Sequence, residues 1–570
     1  MIHLDPRTNQ CELEVQRIIH LQNLANQLPN AFIDTKKVTK SHFPTANTLA
    51  RIDIPVGQLK NESKICLKRG RLVGSKDKTP EEAHIEREAL EEAQEPENCE
   101  ISISYVHTGE KWDWNNIVIN NIFAFQVASD IIRNYEDLKP RSVEECRHRN
   151  DWPKWKEVIQ AELNSLTKRE IFGPIVKTPE DVKPIGYKWV FVRKCDENNE
   201  IIRYKARLVA QGFSQRPGVD YEETYSPVID AITFRFLISL AVSEGLDMRL
   251  MNVITTYLYG SIDNDIYMKI PEGFKLLEAN NTKPRSIYSI KLQQSLYGLK
   301  QSGRMWYNRL SEYLLKEGYV NNPICPCIFI KKSETRFVII AVYVDDLNLV
   351  GTPKELIRIT NYLNKEFEMK DLGKTKFCLG LQIEYFPNGV LVHQSTYIKK
   401  VLKRFYMDKA HPLSSPMVVR SLDVKKDSFH PCEKDEELLG HEVLYLSAIG
   451  ALMYLANCTH LDIAFSVNLL ARYSFAPTRR HWNGIKHILR YLHGTIDMSL
   501  FYSRELKQQL FRYVDEGYFL DPHKCRSQTG YMFNCNCTAI SWRSVKQTMM
   551  VTSSNHSEIL AIHEASRECI

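Results

Sequence analysis

Two adjacent carboxylates interrupt an apolar stretch of the chain. Asp345 and Asp346 follow the run FVIIAVYV at 337–344, and the apolar pattern resumes at Leu347. An ionised carboxylate is costly to hold beside a packed core unless a cation meets it. A divalent metal ion is the simplest such cation, so both residues are candidate metal ligands. Aspartate is also favoured in plain surface turns, and the pair alone leaves both interpretations open.

The neighbouring sequence predicts how this pair is presented. Residues 327–332 and 336–344 read as strands, and LNLVG after Asp346 reads as a third, so the aspartates lie at the tip of a tight strand reversal. Residues 352–355, TPKE, form a capping-box pattern with proline at the first helical position. The predicted order is therefore strand, acidic tip, strand, helix.

A second pair of candidates is positively charged. Residues 187–213 read as two strands joined by a polar turn, and the second strand contains Lys205 and Arg207. Side chains two residues apart on a strand project from the same face, where they could hold phosphate groups or serve solubility alone. Upstream, the apolar spacing after Asp151 predicts a helix with that residue as its cap and Pro153 in its first turn.

The bulk properties of the 570-residue chain exclude several classes of protein. Its length indicates two to four domains, and 43% hydrophobic with 25% charged residues is typical of globular proteins. No apolar run near the aspartates approaches the roughly 20 residues of a bilayer helix, and the first residues show no secretory signal. The fourteen cysteines lack the paired C-x-x-C spacing of zinc sites. We therefore expect an intracellular protein, in the cytoplasm or the nucleus, without membrane contact.

The first 145 residues differ in composition from the rest. A basic stretch at 60–78 is followed by a run rich in glutamate, with prolines nearby. Such blocks of like charge predict a low-complexity charged linker that is partly disordered. The sequence KRGR at 68–71 could enter a nucleic-acid minor groove, as arginine arms do, or form a flexible basic tail.

From about residue 150 onward the chain resembles the reverse transcriptases of copia-type LTR retrotransposon Pol polyproteins. The resemblance rests on six stretches in the order expected for that family. They are YKWVFVRK at 187–194, YKARLVAQGF at 204–213, YSPV at 225–228, SLYGLKQSGRMWY at 295–307, YVDD at 343–346 and LSAIGALMYLANCTHLDIAFSVNLLARY at 446–473.

This resemblance implies a fold, a division into domains and a reaction. The implied fold class is α+β: a right-hand polymerase with fingers, palm and thumb over 150–410, a connection region over 411–505, and a truncated ribonuclease H-like α/β domain over 506–570. The implied reaction is RNA-directed DNA synthesis, with an RNA or DNA template-primer and deoxynucleoside triphosphates as partners. The resemblance does not specify an oligomeric state.

The resemblance also identifies a departure in the catalytic centre. In the family, three aspartates hold two Mg²⁺ ions, with Mn²⁺ as an alternative, which activate the primer hydroxyl and neutralise the departing pyrophosphate. Asp345 and Asp346 match two of these aspartates, but Asn252 occupies the position of the first. Asparagine is similar in size but neutral, with a single oxygen acceptor. Asp247, five residues upstream, faces the other side of a strand. We therefore expect an intact fold with impaired metal binding.

Other family roles are implied position by position. Tyr257 matches the bulky residue beneath the incoming sugar, and Tyr297 and Gly298 match the segment that lines the nucleotide pocket, where glycine lets the backbone come close. Lys205 and Arg207 match the fingers cations that grip the triphosphate. Two aromatic residues are expected in the core or against the template: Trp306 and Tyr307.

The last part of the chain resembles the beginning of a ribonuclease H domain. Residues 512–533 resemble its first hairpin, with Asp515 at the catalytic aspartate position, and 553–565 resemble its first helix, with Glu558 as the second carboxylate. The family uses at least one further aspartate beyond this helix. A three-stranded fragment with an exposed helix would also be short of core. We therefore expect no ribonuclease activity.

Three interpretations stay open on the sequence alone. The first is a magnesium-dependent, RNA-directed DNA polymerase. The second is a retroelement remnant of the same fold that binds nucleic acid at most and does not polymerise, which Asn252 and the short ribonuclease segment favour. The third is an unrelated metal-dependent phosphatase built on the acidic tip, which leaves the other motifs unexplained.

Overall fold

The computed structural model describes most of the chain beyond residue 140. All described residues lie within Val118–Ile570. The basic stretch at 60–78 and its KRGR sequence lie outside them, so the predicted linker character there stays a prediction. The prediction does not hold for Ala124, Val127, Ala128 and Ile131, which are helical and buried in the large core. The described residues are 124, 127–128, 131, 140–195, 201–272, 274, 285–333, 336–433, 436–440, 444–505, 509–535 and 537–568.

A helical pair and a long hairpin begin the described fold. The elements are α1 (Val143–Arg147), α2 (Trp152–Lys168), β1 (Phe172–Lys177), β2 (Tyr187–Cys195) and β3 (Ile201–Ala210). The predicted helix and hairpin are both present, and the apolar face of α2, including the fully buried Trp155, packs in one core cluster with residues of β2 and β3. Amphipathic spacing alone therefore located α2 correctly.

The predicted cap of α2 is wrong in one respect. Asp151 occupies the N-cap position, but its carboxylate accepts no capping hydrogen bond from the described backbone. It instead forms ion pairs with Arg149 at 3.2 Å and Arg193 at 3.0 Å. Two guanidinium groups compete better for a carboxylate than a neutral backbone N–H does.

The region that the resemblance predicts as the palm follows, with two short strands beside it, and we call it the palm region. Its elements are α3 (Ala231–Ser243), β4 (Asp247–Val253), β5 (Tyr267–Lys269), β6 (Tyr288–Leu292), α4 (Ser302–Lys316), β7 (Val320–Asn321), β8 (Ile328–Ser333), β9 (Arg336–Tyr343), β10 (Asp346–Gly351), α5 (Pro353–Glu366) and β11 (Met369–Lys374). Six of the strands form an antiparallel sheet in the order β11-β4-β10-β9-β8-β7, and β1, β6 and β5 form a second sheet. Helices α3, α4 and α5 contribute buried residues to the same core as the six-stranded sheet. The fold is thus α+β, as predicted.

Helix α5 begins where the sequence predicts. Pro353 is its first residue and Thr352 is the N-cap, although the Thr352 hydroxyl makes no capping hydrogen bond within the described region. The helix start therefore depends on the fixed backbone of proline and on the buried apolar face of Leu356, Ile359 and Leu363.

Further strands and helices extend this core. They are β12 (Phe377–Cys378), β13 (Leu381–Phe386), β14 (Gly389–His393), α6 (Ser395–Arg404), α7 (Tyr445–Cys458), α8 (Ala464–Ala471), α9 (Arg479–Gly494) and β15 (Leu500–Ser503). Strand β15 pairs antiparallel with β14, more than 100 residues earlier, in the sheet β12-β13-β14-β15. The predicted boundary at 410/411 is not marked by a separate core, since α7 and α9 share buried contacts with the palm.

The last described elements are β16 (Leu510–Asp521), β17 (Arg526–Cys535), β18 (Thr538–Lys546) and α10 (Ser554–Glu568), with the three strands paired antiparallel in that order. This segment is unevenly packed: β17 and β18 are largely buried, whereas the first half of β16 is exposed and α10 buries only small residues, namely Ser557, Ala561 and Ala565. Helix α10 lies on β16 and β17, and Trp542 of β18 joins the large core.

One buried cation connects this terminal sheet to the palm. Arg235 of α3 is 1% exposed and donates hydrogen bonds to the carbonyl oxygens of Ile540 at 2.7 Å, Asn457 at 2.9 Å and Cys458 at 2.7 Å. Its guanidinium lies 4.1 Å from the ring centroid of Trp542. Carbonyl oxygens and an aromatic face together replace the water that a buried guanidinium loses.

Within the described residues, no helix has the length and apolarity required to cross a bilayer.

Candidate functional site

Two hydrogen bonds hold the acidic turn between β9 and β10. Val344 has a positive φ of 56°, a conformation that β-branched residues rarely adopt. Its carbonyl oxygen accepts a hydrogen bond from the indole N–H of Trp306 at 2.8 Å, and the backbone N–H of Val253 donates to the carbonyl of Asp345 at 2.7 Å. Trp306 is thus a buried core residue that fixes the turn, as one of its two predicted roles requires. The turn is pre-organised to present two carboxylates.

Strand β4 brings Asn252 directly beside this pair. In the antiparallel register of β4 and β10, Asn252 lies opposite Asp346. Its side-chain amide nitrogen donates to Asp345 Oδ2 at 3.1 Å and to Asp346 Oδ1 at 2.9 Å. The three positions singled out in the sequence are therefore adjacent in space.

The electrostatics of this trio differ from those of a site with three carboxylates. Burial raises the pKa of Asp346, the hydrogen bond from Asn252 lowers it, and the charge of Asp345 raises it, with a net rise. The Asn252 amide N–H₂ points a donor at both carboxylates, where a metal site requires acceptors. Among the described residues, no group of three or more carboxylate, histidine or cysteine side chains is placed to hold a metal ion. The donor set does not fit a pair of divalent ions.

Nearby acidic residues do not supply the missing charge. Asp247 lies at the opposite end of β4, where it faces Gly351 of β10. Asp265 forms an ion pair with Lys291 at 2.7 Å. Neither carboxylate is directed to the acidic turn, in agreement with the strand offset noted for Asp247.

Two tyrosines predicted for the nucleotide pocket form one aromatic wall. Tyr257 lies in the 3₁₀ turn Thr256–Tyr259 that follows β4, and its ring meets that of Tyr297 edge to face at a centroid distance of 6.0 Å. Burial raises the pKa of the Tyr257 hydroxyl, and the charge of Asp345 raises it further. The wall is therefore within electrostatic range of the acidic turn.

The loop that carries Tyr297 is pressed against the end of β3. Gly298 has a φ of +89°, and a Cβ atom added there would lie 2.2 Å from the carbonyl oxygen of Ala210. The Ala210 backbone N–H donates to the carbonyl of Tyr297 at 2.7 Å. Glycine is required at position 298 both for its dihedral angles and for this close approach.

One of the two cations predicted to hold the triphosphate reaches the same wall. The Arg207 guanidinium lies over the Tyr297 ring at 4.8 Å from its centroid, and Lys205 occupies the same strand two residues earlier. The sequence analysis missed Glu162 of α2, which accepts a hydrogen bond from the Leu208 N–H at 3.4 Å. Burial raises the pKa of Glu162, and the charges of Arg207 and Lys205 partly offset that rise. The signal available in the sequence was that Glu162 lies next to Leu163 on the apolar face of α2.

The ribonuclease-like residues occupy a separate region. Asp515 on β16 and Glu558 on α10 are both exposed. Between them lies Glu516, which the sequence analysis did not single out: burial raises its pKa, and the charges of Glu558 and Asp515 raise it further. The three carboxylates thus interact electrostatically near the middle of β16, without forming a metal-holding group in the part of the chain that the structure describes.

Comparisons with known proteins agree on one family. Residues 170–419 match the family described as reverse transcriptase (RNA-dependent DNA polymerase). The chain is 36% identical over 439 residues to the retrovirus-related Pol polyprotein from transposon TNT 1-94 of Nicotiana tabacum, covering 76% of this chain and 32% of that protein. It is 32% identical over 416 residues to the corresponding polyprotein from transposon RE2 of Arabidopsis thaliana, covering 73% and 28%.

The chain therefore spans about a third of the length of these curated relatives. A solved structure of the foamy viral protease-reverse transcriptase in complex with double-stranded DNA overlaps 73% of this chain and 60% of its own, with 13% sequence identity and a TM-score of 0.40.

Proposed function

Because the chain carries the reverse transcriptase domain of a copia-type retrotransposon Pol polyprotein, we propose that it binds a nucleic-acid template-primer but synthesises DNA poorly or not at all. The single observation that carries this proposal is the Asn252 amide, which donates to both carboxylates of the acidic turn. A neutral donor occupies the position that the reaction requires to be a third negative charge.

Nucleotidyl transfer needs charge in this position. In the family that this chain resembles, two Mg²⁺ or Mn²⁺ ions supply the charge that activates the primer 3′ hydroxyl and stabilises the leaving pyrophosphate. Asp345 and Asp346 would provide two negative charges where family members provide three. Loss of one such charge costs several kcal/mol of transition-state stabilisation, which corresponds to a rate reduction on the order of a thousandfold.

The substrate-binding parts of the site support retained binding. Arg207 and Lys205 would hold the triphosphate of an incoming deoxynucleotide, and the edge of Tyr257 against Tyr297 would form the floor beneath its sugar. The close backbone approach at Gly298 fixes the pocket wall. None of these contacts depends on the charge at position 252.

We assign no ribonuclease activity to the terminal segment. Asp515 and Glu558 are exposed, and the neighbouring Glu516 is buried enough to raise its pKa, which disfavours its ionised form. The contacts of Trp542 and Arg235 give this segment a structural role instead.

Primer extension tests the proposal. The unaltered chain, Asn252→Asp and Asn252→Ala would be compared on a primed homopolymer RNA template with Mg²⁺ or Mn²⁺. We expect extension only with Asn252→Asp, on the order of a thousandfold above the other two. The alanine variant is the control, because it removes the amide without adding charge. Efficient extension by the unaltered chain would refute the proposal. Failure of all three with retained duplex binding would show that Asn252 is not the only defect, as the alternative of a non-catalytic remnant implies.

A further inference from the structure

The turn between β7 and β8 contains two cysteines that are separated by one proline. Cys325 is partly exposed, whereas Cys327 is buried at 3% exposure, and both are free thiols. Their Sγ atoms lie 3.2 Å apart. A covalent S–S bond measures about 2.0 Å, so a small movement of the two side chains would bring the sulfur atoms to bonding distance. We call Cys325, Pro326 and Cys327 the dithiol turn.

Hydrogen bonds hold the backbone of the dithiol turn. The Ile328 N–H donates to the Cys325 carbonyl at 2.9 Å, which closes a turn with Pro326 at its second position. The Cys325 N–H donates to Asn322 Oδ1 at 3.1 Å. Because proline fixes its φ angle, the turn loses little conformational freedom when the two sulfur atoms join.

Further hydrogen bonds attach the dithiol turn to the palm region. The Pro326 carbonyl accepts from the Tyr307 hydroxyl of α4 at 2.9 Å and from Asn321 Nδ2 at 2.7 Å. The Cys327 carbonyl accepts from the backbone N–H of Val342 in β9 at 2.9 Å. The backbone on which both thiols are mounted is therefore fixed by a helix and by a strand of the large sheet.

The different exposure of the two thiols gives them different roles in thiol–disulfide exchange. Cys325 is accessible to a reagent from solvent, whereas Cys327 is covered. Burial raises the pKa of the Cys327 thiol, and the contact with Cys325 raises it further, so Cys327 keeps its proton. The thiolate is the nucleophile in such exchange reactions. Cys325 is therefore the thiol that reacts first, and Cys327 is the thiol that resolves the product.

We propose that the dithiol turn is a reversible modification site, which a small-molecule disulfide of the oxidised glutathione class converts to a disulfide within the chain. The Cys325 thiolate attacks one sulfur atom of the reagent, releases one thiol and retains the other half as a mixed disulfide. Cys327 then attacks the Cys325 sulfur, and its proton passes to the second thiolate that leaves. One reagent disulfide is reduced to two thiols while two thiols of the chain are oxidised. The inference does not depend on the proposed function.

The small size of the ring predicts a labile bond instead of a structural one. A bridge between residues 325 and 327 closes a loop of only three residues, so it removes little entropy from the unfolded chain. Such a bond gains little from folding beyond the adjacency of its sulfur atoms. Thiol reductants should therefore reverse it readily.

Mass spectrometry of the full chain in glutathione buffers tests the inference. Samples would be equilibrated at fixed ratios of oxidised to reduced glutathione, quenched with acid, alkylated and digested with trypsin. The tryptic peptide 317–331 contains both thiols and no other cysteine. We expect it to lose the mass of two hydrogen atoms and to regain it with dithiothreitol. In urea, the same loss should need a ratio about tenfold more oxidising, because the folded turn no longer holds the sulfur atoms together.

Two single variants separate the roles of the two thiols. Cys327→Ser should stop at the mixed disulfide, with one glutathione on Cys325. Cys325→Ser should leave Cys327 unmodified, because that thiol is buried. The exposed thiol of Cys525 is the control within the same digest, and it should carry glutathione when the reagent has reached the chain.

Three results with the unaltered chain would overturn the inference, and they stand even where a variant fails to fold. The first is a peptide 317–331 that stays reduced at ratios at which Cys525 carries glutathione. The second is separate attachment of glutathione to Cys325 and Cys327 without a bond between them. The third is oxidation of the folded and the urea-unfolded chain at the same ratio, which would assign the bond to the sequence spacing alone.

Discussion

Substitution of Asn252 by aspartate should destabilise the metal-free protein and make its stability depend on magnesium. In the unaltered chain, the amide donates to carboxylate oxygens 3.1 and 2.9 Å away. An aspartate there would replace two attractive contacts with two repulsive ones. Two unit charges 3 Å apart repel by roughly 5.5 kcal/mol at an effective dielectric constant of 20.

Protonation limits this cost. One of the three carboxyl groups would take up a proton, as carboxylates that share a site do, so we expect a net loss of about 2–3 kcal/mol near neutral pH. Binding of Mg²⁺ to the native state alone should recover most of that loss. The unaltered chain, with an amide donor between its carboxylates, should respond little to the metal.

Urea unfolding in EDTA and in millimolar magnesium measures both effects. Asn252→Ala is the control, because it loses the two hydrogen bonds without gaining a charge and should show no magnesium response. The reasoning would be refuted if Asn252→Asp were as stable as the unaltered chain in EDTA. It would also be refuted if magnesium stabilised all three proteins equally.

Three further outcomes follow from the same structure. Gly298→Ala should lower the free energy of unfolding by about 2–4 kcal/mol, because the new Cβ would clash with the Ala210 carbonyl at a residue of positive φ. Urea unfolding measures this loss. The control is Gly373→Ala, also at positive φ but in open space, which should lower the free energy of unfolding by only about 1 kcal/mol. Arg207→Gln should weaken deoxynucleotide binding about tenfold with little change in duplex affinity, as measured by nucleotide-dependent protection of the template-primer complex. Because the pKa of Asp346 is raised in the folded state, its contribution to stability should be greatest below the unfolded pKa and should decline as pH rises through the folded value; Asp346→Asn should flatten that part of the pH–stability profile, and an unchanged profile would contradict the assignment.

Local patterns in the sequence predicted the elements that form the site. The apolar run before Asp345 and the proline after β10 located the acidic turn and α5, since both depend on residues close in the chain. The position of Asn252 beside Asp346 came from the family resemblance, and the strand register agrees with it. Roles in nucleotide binding stay predictions, because geometry alone does not test them.

Contacts between distant segments could not be predicted in this way. Glu162 of α2 accepts a hydrogen bond from Leu208 of β3, 46 residues later in the chain. Its pKa depends on the charges of Arg207 and Lys205, which are near it only in the folded chain. The same holds for the packing of the terminal segment. The sequence pattern predicted its strands, but the groups that Trp542 contacts, Ala456 and Arg235, come from distant parts of the chain.

The setting of Arg235 limits how this chain can be divided. One of its three carbonyl partners and its aromatic cover belong to β18, although the guanidinium itself comes from the palm. A recombinant fragment ending near residue 505 would remove both, leave Arg235 with only the carbonyls of Asn457 and Cys458, and uncover the part of the core that Trp542 covers. The residues before 505 therefore do not form a module whose packing is independent of β18. Truncation before β18 should lower the free energy of unfolding of the part that remains.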